Sequence, residues 1–268
     1  MRAGRLILAP LLGLVAFVGL WELAVRALDI QPFILLAPSR IVEELGDRPA
    51  FYAGEMGVTA RHAGIGMLIG LVVALVVGAA LAASRLAEQA AQPVLILILV
   101  APWVAYFTSI VVWLGPGDPP TYFLVAFVTL PAFVFATVVG LRSADPAARE
   151  VLASVDARAA EVLWRLRLPS AMPTIFATAR FSVGLALAAA YYAEGGNFAD
   201  RGLGAAGRRA AGVQNGPILW ATVAGTVLLG MAGLVIITVV ERVALRWHVS
   251  QRRAVTAVSW RAHRRSVS

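Results

Sequence analysis

An all-α membrane fold of six transmembrane helices is what this sequence predicts, and three observations carry the prediction. The composition is 60% hydrophobic and 14% charged, whereas an ordinary soluble domain is about 45–50% apolar. The apolar residues come in blocks of roughly 20, the length at which a helix crosses a hydrocarbon core. The charges fall between the blocks, with Arg180 as the exception. A chain of 268 residues could form one or two soluble domains, but blocks of this length favour a single membrane domain.

The chain opens on a short basic start, Met1–Arg5, followed by an apolar run through Trp21, with Glu22 and Arg26 placed to pair at i,i+4 near its end. A signal peptide ending near Val25-Arg26-Ala27 is the alternative. The run is long for a signal core, so an uncleaved first span within residues 1–30 is expected. Asp29–Arg61 is polar and mildly acidic, with Pro38-Ser39 opening a surface helix. Ala63–Ala83 is the second span, where Gly66, Gly70, Ala74, Gly78 and Ala82 recur at every fourth position. Such a stripe of small residues lets another helix approach closely in lipid. Ser84–Gln92 connects it to the third and fourth spans, Pro93–Leu114 and Thr121–Leu141, which are joined by a tight Gly-Pro turn. The fifth span, Pro173–Ala193, is interrupted by Arg180. A glycine-rich loop, Glu194–Gly216, leads to the sixth span, Pro217–Val240, and residues 246–268 form a basic tail.

The chain has no cysteine and no lysine, so all 23 of its Lys/Arg positions are arginine. That removes disulfides and thiolate ligands, and with them a lysine Schiff base and the lysine of a phosphate-binding Walker loop. A net charge of +8 would suit nucleic acid, but its distribution argues for membrane topology. With the N-terminus inside, cytoplasmic segments carry fifteen arginines and outer segments seven. Arginine excess marks the cytoplasmic side. Both termini are then cytoplasmic, as is the polar segment Arg142–Pro173. His62, His248 and His263 are scattered without metal-ligand spacing. No nucleophile has a base near it in sequence, which leaves an intramembrane enzyme without a catalytic group. No ionisable residue lies at mid-depth in a span, where a secondary transporter would keep one to bind its coupling ion. With no ion relay and no nucleotide site, energy must come from a partner.

Arg142–Pro173 is the segment where a partner would dock. It holds five arginines and four acids between two apolar blocks. Asp145-Pro146 reads as an N-cap with proline at the first helical position. A second helix from Ala157 to Leu168 is expected, with Asp156 as its N-cap and Pro169 as its stop. On it Ala159, Leu163 and Leu166 share one face with Val162 beside them, while Arg158, Glu161 and Arg165 line the other.

The segment resembles the cytoplasmic coupling loop of binding-protein-dependent ABC importer permeases. That family's pattern is Glu-Ala-Ala, three residues, Gly, then a hydrophobic position and a terminal Leu-Pro. Glu150 stands at the Glu position, Ala157 follows the Gly position, Leu163 takes the usually aromatic position, and Leu168-Pro169 supplies the Leu-Pro. Val151 and Leu152 replace the two alanines, and Asp156 replaces the glycine. Gly140–Pro146, Ala193-Glu194 and Gly202-Leu203-Gly204 extend the similarity. It covers residues 35 to 245 and looks most like the sulfonate, taurine and nitrate branch, which also includes permeases for vitamin precursors.

The resemblance implies a transport subunit rather than an enzyme, in a bacterial cytoplasmic (inner) membrane, with a permease domain over 31–245. It implies a coupling loop between the fourth and fifth spans that binds a separate ATPase through Glu150, Ala157, Arg158, Glu161, Leu163, Arg165, Leu168 and Pro169. ATP and magnesium would sit on that ATPase. A second permease subunit, an extracytoplasmic substrate-binding protein and membrane lipid complete the partners, with no nucleic acid and no cofactor or metal on this chain. The solute would be small and could be anionic. Glu194 and Arg180 are the candidates for the translocation path or its gate. Solvation at the interface is the alternative for Glu194, and a neighbouring helix or a lipid phosphate for Arg180. A channel or secondary transporter of another fold is the competing reading.

Overall fold

The computed structural model describes residues 2–196 and 199–246, and every regular element among them is helical. In chain order these are α1 (Arg2–Ala27), α2 (Pro38–Asp47), α3 (Pro49–Ala83), α4 (Arg85–Val100), α5 (Trp103–Leu114), α6 (Asp118–Arg142), α7 (Pro146–Ser154) and α8 (Ala159–Val162). A π turn, Leu163–Arg167, joins α8 to α9 (Leu168–Gly196), and α10 (Leu203–Gly212) and α11 (Gly216–Ala244) follow. Five continuous helical stretches are long and apolar enough to cross a membrane, and α4 with α5 makes a sixth. The basic tail lies outside the described residues except for Arg246, and so do His248 and His263.

Helix α6 is the axis of the molecule, with α3 and α9 packed along it. Leu124, Val125, Phe133 and Val134 of α6 are fully buried. The small-residue stripe of α3 is what admits it. Gly66 lies against Val125, Gly70 against Thr129 and Gly78 against Thr137, so closely that a Cβ on Gly70 would come within 2.6 Å of the Thr129 hydroxyl. On the other side Gly140 of α6 meets the backbone of Ala171. Close backbone approach substitutes for the hydrophobic effect, which gives no drive between helices in lipid. The α6 hydroxyls stay satisfied inside the bundle: Thr129 and Thr137 donate to Val125 O (2.9 Å) and Phe133 O (2.8 Å).

Because Gly66, Gly70 and Gly78 face Val125, Thr129 and Thr137 in order, α3 and α6 run parallel and begin at the same end. The chain must therefore return between them, through α4 and α5. The sequence predicts a single helix from Pro93 to Leu114. The structure has two, bent by 96° across Ala101-Pro102. Pro102 disfavours helical backbone at Ala101 and removes a backbone donor.

Three further boundaries differ from the sequence reading. The second span is the last part of a 35-residue helix that starts at Pro49, because one face of its polar first half is buried, with Glu55, Thr59 and His62 bonded to α9 or to the start of α10. Helix α9 is not stopped by Pro169 or opened by Pro173; Ala159–Gly196 is one helical run of 38 residues. The π turn accommodates Pro169, which could offer no N–H to Arg165 O, while Ser170 Oγ donates to Leu166 O at 2.8 Å. Within the glycine-rich loop, α10 forms with its first three N–H groups fastened to side chains of α3 and α9. Helix α1 lies at the edge, tied to α2 where Glu22 accepts from Ser39 Oγ (2.7 Å) and from Arg26 (2.6 Å).

Candidate functional site

Two polar assemblies lie at opposite ends of the bundle. At one end, α7 projects with no buried residue. Asp145 caps it as the sequence predicts, accepting from Ala147 N at 3.0 Å, with Pro146 at the first helical position. The next turn corrects the reading of Asp156. Its φ is +51°, its N–H donates to Ala153 O (3.1 Å), and the N–H of Ala157 reaches Leu152 O (3.0 Å). That pair of bonds is a Schellman closure of α7, with Asp156 at the left-handed position that favours glycine. Asp156 therefore ends the helix before it and does not start the one after. Arg158 occupies the next N-cap position, and its N–H donates to Glu161 at 3.0 Å.

Glu150, Arg158 and Arg165 are exposed, and Ala157, Glu161, Leu163, Leu168 and Pro169 are half-buried. Leu163 and Leu168 pack on a small core of Leu141, Ala171 and Ile175, which anchors the loop to α6 and α9. Val151, Val155 and Trp164 are exposed by 65%, 69% and 67%. Three large apolar side chains interleaved with charge make a surface suited to a protein partner, with the tryptophan as its natural anchor.

At the other end a buried polar cluster holds α10. Glu194 of α9 is fully buried. One carboxylate oxygen accepts from Thr59 Oγ (2.9 Å) and from Gly204 N (2.9 Å), and the other lies 2.8 Å from His62 Nδ1. Thr59 Oγ in turn accepts from Leu203 N at 2.9 Å, and Glu55 accepts from Gly202 N and from Arg201 Nε. The first N–H groups of α10, which have no partner within their own helix, thus meet two carboxylates and a hydroxyl. Gly202 has φ of +109°, and a Cβ on Gly204 would sit 1.8 Å from Tyr191 O, so both glycines are required for the approach.

His62 Nε2 faces Asp118 at 3.1 Å, and Asp118 also accepts from Arg61 at 2.6 Å. Each ring nitrogen of His62 meets a carboxylate oxygen, so the imidazole bridges Glu194 and Asp118. A pocket of about 670 Å³ opens above the cluster, lined in part by Arg61, His62, Asp118, Asp200 and Arg201. Among the described residues no group of three His, Asp or Glu side chains is placed to hold a metal.

The model of the family described as binding-protein-dependent transport system inner membrane component matches residues 66–248. The chain belongs to that family. It is the permease subunit of an ABC importer, a multi-pass membrane transport component and not an enzyme. The permease is 25% identical over 245 residues to the formylaminopyrimidine transport permease protein ThiX of Halalkalibacterium halodurans, covering 91% of this chain and 97% of that one. It is 30% identical over 159 residues to the riboflavin transport system permease protein RibX of Chloroflexus aurantiacus, 59% of each chain. In fold it is similar to a chain of the MetNI methionine ABC transporter in an inward-facing conformation. The TM-score is 0.56 at 16% identity, over 69% of this chain and 94% of that one.

Arg180 of the permease pairs with Glu241 of α11, the neighbouring-helix alternative, and is half-buried there. Glu194 sits inside the cluster rather than on the wall of the pocket. Glu55, Thr59, His62 and Asp118 are not singled out by the sequence as parts of one site. Thr59 and Glu194, which are hydrogen-bonded, stand 135 residues apart, so only the packing of α3, α6 and α9 brings the group together. The one local hint is Gly202-Leu203-Gly204, two glycines flanking a helix start.

Proposed function

We propose that an ATPase subunit docks on Arg142–Pro173 at the cytoplasmic face and drives uptake of a vitamin or vitamin precursor with a flat heteroaromatic ring. The observation that carries the docking is the projecting α7, whose residues enter no core, beside exposed Val151, Val155 and Trp164. Glu150, Arg158 and Arg165 surround that apolar patch and select the partner, while Ala157, Glu161, Leu163, Leu168 and Pro169 hold the loop in shape. ATP and magnesium belong to the ATPase. Closure of two ATPases would push on the loops of two permease subunits, and the substrate-binding protein would deliver solute at the α10 end. The continuous run from Ala159 to Gly196 is about 57 Å of helix. It links the loop directly to Glu194, so a push at one end reaches the clamp on α10 at the other. Residues 31–245 form the working permease and α1, within 1–30, a peripheral anchor.

The solute class is supported by the relatives, whose names specify formylaminopyrimidine and riboflavin. It is also supported by an aromatic recess of about 420 Å³ in the elbow of α4 and α5, lined by Tyr106, Trp113, Phe123 and Phe127. Phe123 and Phe127 are stacked within 13° of parallel, and such faces suit a planar ring better than a sulfonate or nitrate.

Glu150→Lys, the double variant Arg158→Glu with Arg165→Glu, and Trp164→Ala should each reduce co-purification of the ATPase and uptake, with membrane insertion unchanged. Full uptake in all three would overturn the docking assignment. Uptake by the assembled importer in vesicles should be competed by riboflavin or formylaminopyrimidine and not by taurine; the reverse would overturn the solute class.

A further inference from the structure

At the root of the loop a pocket of about 350 Å³ is lined in part by Arg85, Arg142, Arg149 and Arg167. The four guanidinium groups come from four elements: the first turn of α4, the last residue of α6, α7, and the π turn. Arg142 pairs with Glu88. Arg85, Arg149 and Arg167 make no ion pair with any described acid. Three uncompensated cations around one pocket repel each other, and an anion placed among them relieves that repulsion. Guanidinium forks match the paired oxygens of a phosphate group.

The position of the pocket says where the phosphate comes from. Arg85 follows the apolar run of α3 after a single serine, and Arg142 ends the apolar run of α6, so both stand at the membrane boundary. Within one helical turn of two of these arginines, apolar surface is bare: Val139, one turn before Arg142, is 61% exposed, and Leu86, next to Arg85, is 77% exposed. Arginines on the water side and open aliphatic surface beneath them reproduce the amphipathic profile of a phospholipid, headgroup above and acyl chain below.

We propose that this pocket is a binding site for the phosphate group of an anionic phospholipid, wedged between the ends of α3, α4 and α6 and the loop Arg142–Pro173. The lipid would brace Arg149 and Arg167 against Arg85 and so fix the loop's root to the bundle. The site needs only a membrane boundary at this end of the bundle, so it stands whether or not an ATPase docks on the loop.

The test is native mass spectrometry of the full-length permease released from detergent in the presence of phosphatidylglycerol or phosphatidylcholine. Wild type should retain phosphatidylglycerol selectively. The triple variant R85Q/R149Q/R167Q should retain about a hundredfold less, while R26Q/R40Q/R48Q, with the same loss of charge at the opposite end, should match wild type. If the triple variant does not fold, R85Q/R149Q reads the same ratio with a smaller loss. Equal retention by wild type and variant, or equal loss in the control, would overturn the site. Displacement of the lipid by millimolar inorganic phosphate would make the occupant a free anion and overturn the lipid. A triple variant that keeps its lipid but loses the ATPase would make the pocket a docking surface and overturn the proposal.

Discussion

At the residue scale, Asp156 illustrates how one side chain serves either of two helix ends. Aspartate is favoured as an N-cap and tolerated in left-handed backbone, and its identity alone does not choose between them. What chooses is which neighbouring helix closes on it. The bonds from Asp156 N to Ala153 O and from Ala157 N to Leu152 O belong to the preceding helix α7. The family's glycine is explained by the same geometry, since φ of +51° is open to glycine without strain. Asp156→Gly should leave stability equal or raised, and Asp156→Asn should be nearly silent. Asp156→Ala and Asp156→Ser should each cost about 1 kcal/mol, read as a lower thermal midpoint of the purified permease. Serine is the deciding variant: it caps helices well but gains little in left-handed backbone, so a silent Asp156→Ser would restore the N-cap. Asp145 was legible from sequence for the complementary reason, because Asp-Pro fixes both the cap and the direction of the helix that follows. His62 was not legible, since its partners Asp118 and Glu194 lie 56 and 132 positions away.

At the element scale, most of the long apolar runs came out as helices where expected, but Pro93–Leu114 is broken at Ala101-Pro102. The polar α2 and α7 begin where their prolines place them, whereas α10 was not foreseen. The α3 stripe was visible because a four-residue period of small side chains has one physical use in lipid. Its partner, α6, could not be named from the stripe. Helix α10 was hidden because its sequence is rich in glycine and its stability is not local. Ten residues are too few for an isolated helix to persist in water. It is held by Glu55, Thr59 and Glu194, which take the N–H groups of Gly202, Leu203 and Gly204. Removing Glu194 strands Gly204 N, Thr59 and His62 in a buried site, so Glu194→Ala should cost roughly 3–5 kcal/mol. Glu194→Gln keeps an acceptor in place and should cost less. A single cysteine at Ala205, fully buried in the native helix, reports on the clamp. It should stay unlabelled in the parent and in Glu194→Gln but react with maleimide in Glu194→Ala. An unlabelled Ala205→Cys in the alanine variant would mean that packing against α9 and α11, and not the clamp, holds α10.

At the scale of the whole molecule, the bent α4–α5 pair decides the topology. If it dips in and returns to the same face, α6 begins at the loop end and the chain crosses the membrane five times. If it crosses, the count is six. Neither arm spans a bilayer alone: 16 and 12 residues give about 24 and 18 Å of helix. Meeting at 96°, the two arms reach about 30 Å end to end, which is the hydrocarbon thickness. Two contacts fix the ends of that reach. Glu88 near the start of α4 pairs with Arg142 at the end of α6, and Asp118 at the start of α6 meets Arg61 and His62 in the first half of α3. The elbow therefore carries the chain across in spite of its bend. Because the chain has no cysteine, single cysteines can map it directly. Exposed Ser84 and Ser154 should be labelled by an impermeant maleimide from one face of sealed vesicles, and exposed Pro116 and Val213 from the other. Under the proposed docking of the ATPase, the first face is the cytoplasmic one. Labelling of Pro116→Cys from the same face as Ser84→Cys would make the pair a re-entrant loop and break the parallel alignment of α3 with α6. Labelling of Ser154→Cys from outside would leave the alignment intact but remove the loop from the ATPase's side of the membrane.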